Sequence, residues 1–576
     1  MYKVGFTTLA VVALLCMAAA MSAWGNRLTS SIHGYATPLK GMPPLTEDKS
    51  QPLTSQVVMV VVDGLRFDES LAMPYLNALR KQGAHARLIL RPPSSTLTSW
   101  TALLTGARPE INGAPLLDPP NDGIRLMAVD SLFNAIARAG LTSGVAGSAR
   151  LQRLIPADLL YTTYYASAEG EEVDAAVIDR SVMFLNEFRP NFLLVQLGQV
   201  DAAGKRYGAA SAEYRDAAQR CDQHLGRLIS HLDLGRSIVI VTSGHGQLNS
   251  GGHGGAEDVL LSTPFVMMGA GIVASDYRSM DQVDVAPTVA ALLGTPTPSA
   301  AQGGARLDML RMSKVQSAER QVALAAQRVR IANVYLYSIG RGSVSETAEG
   351  DVQVARSSLL VKNYESAAEL ASLAVRQIGQ EMAQRRSARI WQERRERGIP
   401  LGIAALLALW LLWRRRGTRV LWSLLASVLS VAIYHLLYLY QGNSYSFSRF
   451  PSGDVAATLV PALQRAVVAL AAGAALTAWQ NWRERERSSF AVLRSACAFA
   501  GLQLGMIGLG VGVCTFWNGP RFSWYVPNLN VAIWQITLLL QLMLVAAVSA
   551  PLLAVLPIVQ RLALAVSDRL TRTDRH

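Results

Sequence analysis

Side chains that can hold a metal ion stand just after short apolar runs in the first half of the chain. Asp63 follows the run VVMVVV, and Asp201 follows FLLVQL after three intervening residues. His245 follows IVIVT, and His253 lies in the glycine-rich loop that comes next. Carboxylate and imidazole are ligands that hard and borderline divalent metals take from proteins. Two such ions about 3.5–4 Å apart are a common arrangement for phosphoryl transfer.

A hydroxyl group at the start of a predicted helix adds a candidate nucleophile. Thr96 stands in PPSSTLTSW, where an apolar helical segment begins. A hydroxyl here has two interpretations: an N-cap that only satisfies the helix end, or a nucleophile beside the anion-binding N-terminus. Asp63 likewise reads either as a turn residue or as a ligand at the end of a strand.

The runs that precede these residues have the pattern of strands buried on both faces. Val57–Val62, Phe192–Leu197 and Ile238–Thr242 are short, continuous and rich in β-branched residues, as in parallel sheets. Helical patterns such as Met73–Gln82 and Ala212–Leu232 alternate with them. The sequence therefore predicts an α/β fold, a mostly parallel sheet with helices on both faces. Such a sheet would bring Asp63, Thr96, Asp201 and the two histidines to one edge.

Composition places this domain in a membrane protein. The 576 residues are 51% apolar and 16% charged, with a mean hydropathy of +0.23, which argues against a disordered or fibrous chain. The net charge is +13, but the arginines cluster beside apolar runs, which favours membrane orientation over nucleic-acid binding. The four cysteines make no disulfide framework, because Cys221 is the one cysteine outside the apolar runs.

The chain is predicted to have five parts. Residues 1–27 form a membrane anchor or a signal peptide, and 28–312 form the extracytoplasmic α/β domain. Residues 313–397 have the helical, Arg/Gln/Glu-rich pattern of a stalk. Residues 398–562 hold five apolar runs that form a membrane domain, and 563–576 form a cytoplasmic tail.

Arginines recur on every second connection between the apolar runs, and the positive-inside rule assigns those connections to the cytoplasm. The arginines concerned are Arg414, Arg415, Arg416, Arg419, Arg483, Arg485, Arg487, Arg561, Arg569, Arg572 and Arg575. We therefore expect a multi-pass membrane protein, in an inner membrane if bacterial, with an extracytoplasmic domain and both termini cytoplasmic. Arg465, inside the fourth span, is either a lipid-phosphate partner or a residue at the outer interface.

At this point the sequence resembles a known family. The stretches that carry the resemblance are VVDGLRFD, MPYLNAL, PPSSTLTSWTALLTGARPEINGA, LGQVDAAGKRYG, TSGHGQLNSGGHGG, TPFVMMGAGI and QVDVAPTVAALLG. In order and spacing they resemble the alkaline phosphatase superfamily, in the branch of type I phosphodiesterases, nucleotide pyrophosphatases and GPI ethanolamine-phosphate transferases. The resemblance implies an alkaline phosphatase-like fold. The arrangement of an N-terminal helix, an external catalytic domain and several membrane helices is also similar to those transferases.

The resemblance assigns roles residue by residue. It makes Thr96 the nucleophile and also a metal contact. The implied metal ligands are Asp63, Thr96, Asp201, His245 and His253. Two positions depart from the family pattern: Lys205 stands where a histidine is expected, and Gly244 where an aspartate is expected. Each of the two metal sites thereby loses a ligand, which implies fewer than two divalent ions, zinc first, or manganese or magnesium. The Lys205 ammonium can replace part of the missing charge.

The expected function is therefore a membrane-anchored phosphodiesterase or phosphoryl (phosphoethanolamine) transferase. The resemblance implies a phosphodiester substrate linked to a lipid or glycan, with Thr96 attacking phosphorus and Lys205 assisting. Membrane lipid is an expected partner, a protein partner is compatible with the sequence, and nucleic acid is not expected. Two alternatives remain. One is a catalytically degenerate member that binds a phosphorylated lipid or a partner. The other is an accessory component of an envelope assembly or transport system.

Overall fold

The computed structural model describes the chain apart from residues 1, 46–49, 169, 416, 450–454, 485, 487 and 574–576. Arg416, Arg485, Arg487 and Arg575, which belong to the predicted cytoplasmic clusters, lie outside the described residues. The chain forms two compact units. The membrane unit comprises Met1–Ser31, Gln392–Phe522 and Pro527–His576, and the polar unit comprises Ile32–Trp391 and Ser523–Val526.

The polar unit is built on one eight-stranded sheet with the strand order β4-β3-β5-β1-β6-β7-β2-β8. The strands are β1 (Gln56–Val62), β2 (Ala84–Ile89), β3 (Ser143–Ser148), β4 (Thr162–Ala166), β5 (Phe192–Leu197), β6 (Ser237–Thr242), β7 (Ser262–Gly269) and β8 (Ser275–Asp281). Only β7 is antiparallel to its neighbours. The predicted mostly parallel α/β fold is confirmed. The three predicted strands correspond to β1, β5 and β6, which lie side by side at the centre.

The central strand β1 shows why the apolar run is continuous. Val57, Met59 and Val61 belong to the core on one face of the sheet. Val58 and Val60 belong to the core on the other face. Alternate residues of a strand point to opposite faces, so helices on both sides require apolar residues at every position of β1.

The helices are α1 (Tyr2–His33), α2 (Phe67–Ser70), α3 (Pro74–Gln82), α4 (Thr96–Thr105), α5 (Pro109–Asn112), α6 (Leu132–Arg138), α7 (Arg150–Leu154), α8 (Glu171–Met183), α9 (Gln199–Tyr207), α10 (Ala212–Ile229), α11 (Val285–Leu293), α12 (Lys314–Ser338), α13 (Glu346–Leu360), α14 (Tyr364–Arg414), α15 (Thr418–Tyr440), α16 (Val455–Arg483), α17 (Ser489–Asn518) and α18 (Leu529–Thr573). The predicted helices at Met73–Gln82 and Ala212–Leu232 correspond to α3 and α10.

The predicted stalk is helical, with α12, α13 and the first part of α14 sharing an apolar core. No break separates the stalk from the next apolar run, because α14 is one helix of 51 residues. Helix α1 likewise continues beyond residue 27, to His33. Within the described residues, six helices are long and apolar enough to cross a membrane. That number matches the N-terminal run and the five later runs of the sequence.

Candidate functional site

The candidate nucleophile lies at the first residue of α4. Ser95 is the N-cap residue, and Thr96 is the first helical residue and is buried. The Oγ1 atom of Thr96 lies 3.1 Å from Nε2 of His245. Because the Thr96 hydroxyl pairs with an imidazole, the N-cap interpretation does not describe it.

Three candidate metal ligands converge beside Thr96. One ligand atom from each of Asp201, His245 and His253 lies within 4.8 Å of the others. Nε2 of His253 is 3.6 Å and Nε2 of His245 is 4.0 Å from Oδ1 of Asp201. The two imidazole rings are stacked, with their centroids 3.9 Å apart.

The tautomer of His245 follows from its backbone contact. Its Nδ1 lies 3.0 Å from the carbonyl oxygen of Gly246, and a carbonyl oxygen can only accept. Nδ1 therefore carries the proton, and the lone pair on Nε2 faces Thr96 and Asp201. Burial lowers the pKa of His245. Burial and the adjacent His245 lower the pKa of His253 to about 3. Both rings are therefore neutral at pH 7, as metal ligation requires.

Lys205 lies on the carboxylate of Asp201. Its Nζ is 2.5 Å from Oδ2 of Asp201, one helical turn earlier on α9. Burial by itself would raise the pKa of Asp201, but the Lys205 ammonium and the two histidines hold that pKa well below its usual range. Asp201 is thus an anion whose charge is already partly neutralised. This donor set of one carboxylate and two neutral imidazoles fits a zinc-like ion.

Asp63 is engaged by N–H donors. Nε1 of Trp100 donates to Oδ1 at 2.8 Å and to Oδ2 at 3.1 Å, and Nε2 of Gln196 donates to Oδ2 at 2.8 Å. Burial and the nearby Asp201 carboxylate raise the pKa of Asp63 well above its usual range. A side chain at Gly244 would begin 3.1 Å from Oδ1 of Asp63. The structure therefore surrounds Asp63 with neutral donors where the family pattern has a second carboxylate.

The predicted ligands do not all belong to one cluster. Among the described residues, the cluster of carboxylate and imidazole groups contains Asp201, His245 and His253. Asp63 is outside this cluster, and its oxygens accept hydrogen bonds from Trp100 and Gln196. Its role as a metal ligand stays a prediction.

A glycine allows the two aspartates to approach each other. Gly64 has a φ of +75°, and a Cβ there would lie 2.7 Å from Cα of Asp201. The turn after β1 and the first turn of α9 are therefore packed backbone against backbone. Any side chain at this position would push the two carboxylates apart.

Buried acids hold the helices that carry the site, and sequence reasoning missed them. Asp174 accepts hydrogen bonds from the N–H groups of Gly198 and Gln199 at the start of α9. It also lies 3.7 Å from the thiol of Cys221, and burial raises the pKa of that thiol. Asp118 accepts from the N–H of Leu97 at 2.9 Å and so satisfies the start of α4.

The sequence analysis also missed Gln196 and Trp100, although the sequence around Gln196 contained a signal. Gln196 is the one polar residue of β5, in FLLVQL. A buried polar side chain in an otherwise apolar strand needs a hydrogen-bond partner, and that partner is Asp63. Trp100 gave no comparable signal, since an aromatic residue in a buried helix is ordinary core.

Five of the sequence-predicted residues meet at one edge of the sheet. Asp63 and His245 follow the ends of the neighbouring strands β1 and β6, and Asp201 is in the helix that follows β5. His253 stacks on His245, and Thr96 bonds to it. Lys205, the sixth, contacts Asp201 at the same place.

Two segments of the chain match a known protein family. Residues 57–114 and 134–264 match the family described as type I phosphodiesterase / nucleotide pyrophosphatase. These are the segments that hold Thr96, Asp201 and His245. The resemblance inferred from the motifs is confirmed for these two segments of the chain.

Two named proteins and one solved structure are similar to part of the chain. The chain is 24% identical over 274 residues to GPI ethanolamine phosphate transferase 3, catalytic subunit, from Homo sapiens, covering 42% of this chain and 25% of that protein. It is 24% identical over 351 residues to GPI ethanolamine phosphate transferase 1 from Mus musculus, covering 51% and 36%. The chain thus spans about a quarter to a third of these relatives. A solved structure, human ectonucleotide pyrophosphatase / phosphodiesterase 5, is similar at 15% identity and a TM-score of 0.38, covering 45% of this chain and all of that chain.

Proposed function

We propose that the chain is a membrane-anchored phosphodiesterase or phosphoethanolamine transferase that acts on a phosphodiester linked to a lipid or glycan. The observation that carries the proposal is the 3.1 Å contact between Oγ1 of Thr96 and Nε2 of His245. It lies beside the Asp201 and His253 ligand atoms. The named relatives are GPI ethanolamine phosphate transferases, which supports this substrate class. The six described helices that are long and apolar enough to cross a membrane support an enzyme that works at a membrane.

The chemistry assigned to Thr96 is nucleophilic. Its Oγ1 attacks phosphorus, forming a phosphothreonine as the bond to the leaving alkoxide breaks. The Thr96 proton passes to His245 Nε2, the acceptor of its hydrogen bond, and then to the alkoxide. Water or an acceptor hydroxyl next attacks the phosphothreonine and gives its proton to His245, and Thr96 recovers a proton from His245. Lys205 offsets the charge of Asp201 and leaves the pocket able to receive an anionic phosphodiester.

One divalent ion, zinc first, is proposed at Asp201, His245 and His253. Bound there, it would supply positive charge to the phosphoryl oxygens. His245 Nε2 has a single lone pair, so ligation of the ion and acceptance of the Thr96 hydrogen bond compete. When the ion is held by His245, the Thr96 proton would therefore pass to solvent, and proton transfer through His245 Nε2 belongs to the site without an ion on that atom. Asp63 accepts hydrogen bonds from Trp100 and Gln196 and so anchors α4, and its ligation of a metal stays a prediction.

The alternative is a degenerate member that binds a phosphorylated lipid or a partner without turnover. It is favoured by one observation: Trp100 and Gln196 donate to Asp63, and Gly244 adds no carboxylate. An accessory role in an envelope assembly or transport system requires no catalysis either. Both alternatives predict no phosphothreonine.

The experiment uses the purified full chain, zinc and a chromogenic phosphodiester, with mass spectrometry for phosphothreonine. We expect turnover and a modified Thr96, at least 100-fold less turnover in Thr96→Ala, and intermediate turnover in Thr96→Ser. Thr101→Ala is the matched control, because its hydroxyl on the same helix donates only to the Leu97 carbonyl. Equal turnover in Thr96→Ala and the unmodified chain would exclude Thr96 as nucleophile. Metal binding without turnover would favour the degenerate alternative.

A further inference from the structure

A buried arginine lies among the helices of the membrane unit. Arg465 is on α16 and is 5% exposed. Its helix neighbours Ala462 and Ala466 pack in one apolar cluster with Tyr434 of α15 and Leu544 of α18. The guanidinium is therefore enclosed by three helices that are apolar enough to cross a membrane.

The contacts of the Arg465 guanidinium are with neutral groups. Its Nη1 donates to Oε1 of Gln441 at 2.5 Å. It lies over the rings of Tyr434 and Tyr438, 5.5 and 5.1 Å from their centroids. Its Nε is buried and has no hydrogen-bond partner among the described residues. The Tyr434 hydroxyl, beside it, likewise makes no hydrogen bond of normal geometry there.

The described helices of the neighbouring spans contain no acidic residue. Residues 418–440, 455–483, 489–518 and 529–553 contain neither Asp nor Glu. A cation–π contact attracts a guanidinium to the face of an aromatic ring but leaves its charge in place. Two tyrosine rings therefore stabilise the guanidinium without neutralising it, and an external anion would complete the site.

The depth of the guanidinium indicates which anion. Arg465 is the eleventh residue of α16, about 15 Å along its axis from Val455. Yet its side chain reaches Gln441, the residue that follows the last turn of α15. Tyr445 and Trp534 stack nearby with centroids 3.8 Å apart, as in the aromatic belts at membrane interfaces. The guanidinium thus lies at the level of lipid headgroups, where the abundant anion is a phosphate diester.

We propose that Arg465 binds the phosphate of a membrane phospholipid. The Nε–H of the guanidinium and the Tyr434 hydroxyl donate to phosphate oxygens, and Gln441 orients the fork from its other side. The site lies wholly in the membrane unit and is separate from Thr96, so it can be correct whether or not the proposed catalysis is.

The test is native mass spectrometry of the delipidated full chain. It is incubated separately with phosphatidylglycerol, phosphatidylethanolamine, diacylglycerol and glycerol phosphate. We expect both phospholipids to be retained and diacylglycerol and glycerol phosphate to be lost. Arg465→Gln should weaken phospholipid retention at least tenfold, and Arg465→Lys should weaken it less. Arg483→Gln is the matched control, since Arg483 is on the same helix and contacts the Trp479 ring.

Tyr434→Phe separates a ligand site from a structural role. A hydroxyl that makes no hydrogen bond of normal geometry can be removed at little cost to the unfolding temperature. The proposal nevertheless expects Tyr434→Phe to weaken phospholipid retention several-fold. Equal retention of diacylglycerol and phospholipid by the unmodified chain would overturn the proposal. So would full retention in Arg465→Gln, or binding of glycerol phosphate as strong as that of the lipids.

Discussion

Lys205 and Gly244 change the site in different ways. Lys205 brings a positive charge to Asp201, with Nζ 2.5 Å from Oδ2. Gly244 lies close to Asp63, and a Cβ there would make a tight contact, 3.1 Å from Oδ1. A lysine can replace the charge of an ion but cannot orient a substrate oxygen as a coordinated metal does. Relative to the family pattern, Lys205 therefore keeps a positive charge beside Asp201, whereas Gly244 offers no carboxylate beside Asp63.

Restoring both ligands should increase the number of bound metals. We expect Lys205→His with Gly244→Asp to raise the zinc stoichiometry toward two and to raise phosphodiester turnover. Without metal, the added carboxylate should lower the unfolding temperature, because it stands beside Asp63. Zinc at 100 times its dissociation constant should restore about 2.7 kcal/mol of stability. Elemental analysis and unfolding with and without zinc measure both effects.

The control for this variant keeps the charge and adds no ligand. Lys205→Arg should leave the metal count as in the unmodified chain. If the unmodified chain already carries two zinc ions at full occupancy, other side chains replace the missing ligands. Lys205 then does not take the place of a metal's charge.

At the level of elements, helix α9 delivers two site residues at once. Asp201 and Lys205 are one turn apart and form an ion pair, and Asp174 accepts hydrogen bonds from the N–H groups at the start of the helix. Burial raises the pKa of Asp174 to about 6. Asp174, which holds the start of α9, therefore has a pKa much closer to neutral pH than an ordinary aspartate.

The pH dependence of stability should reveal Asp174. An unfolded aspartate loses its proton near pH 3.9, whereas folded Asp174 keeps it until about pH 6. Between these values the folded chain binds the extra proton, so this contribution to stability is lost as pH rises through that window. The total change is about 3 kcal/mol. Asp174→Asn should remove this component, seen as a smaller drop in unfolding temperature between pH 4 and 7.

An exposed aspartate on the same helix gives the matched control. Asp179 is on α8 and pairs with Arg227 at the surface. Asp179→Asn should leave the pH profile of the unmodified chain unchanged. Parallel profiles for Asp174→Asn and the unmodified chain would mean that Asp174 does not titrate in this range.

Elements with a continuous apolar pattern were the predictable part of the fold. β1, β5 and β6 could be found because burial on both faces leaves a nearly continuous apolar run in each; the polar exceptions are Gln56, Gln196, Ser237 and Thr242. Edge strands such as β8, exposed at most positions, carry no such pattern. Side-chain partnerships across the sheet, such as Trp100 with Asp63, depend on packing between distant segments. Spacing along the chain cannot give them.

For the whole molecule, the distribution of arginines predicts the topology. Six helices of the described residues are long and apolar enough to cross a membrane. Connections with several arginines alternate with connections that hold one each, Arg449 and Arg521. Reporter fusions after residues 300 and 519 should be active only when exported, and a fusion after residue 417 should be active only in the cytoplasm. Cytoplasmic reporter activity at residue 300 would invert the proposed orientation of the polar unit.

The burial of Cys221 makes the polar unit convenient for chemical labelling. Its thiol is fully buried, and burial raises its pKa above the ordinary value, so little thiolate forms at neutral pH. The other three cysteines, Cys16, Cys497 and Cys514, belong to the membrane unit. A cysteine introduced at an exposed position of Ile32–Trp391 would be the reactive thiol of that unit. Spectroscopic probes could therefore be attached there without replacing Cys221.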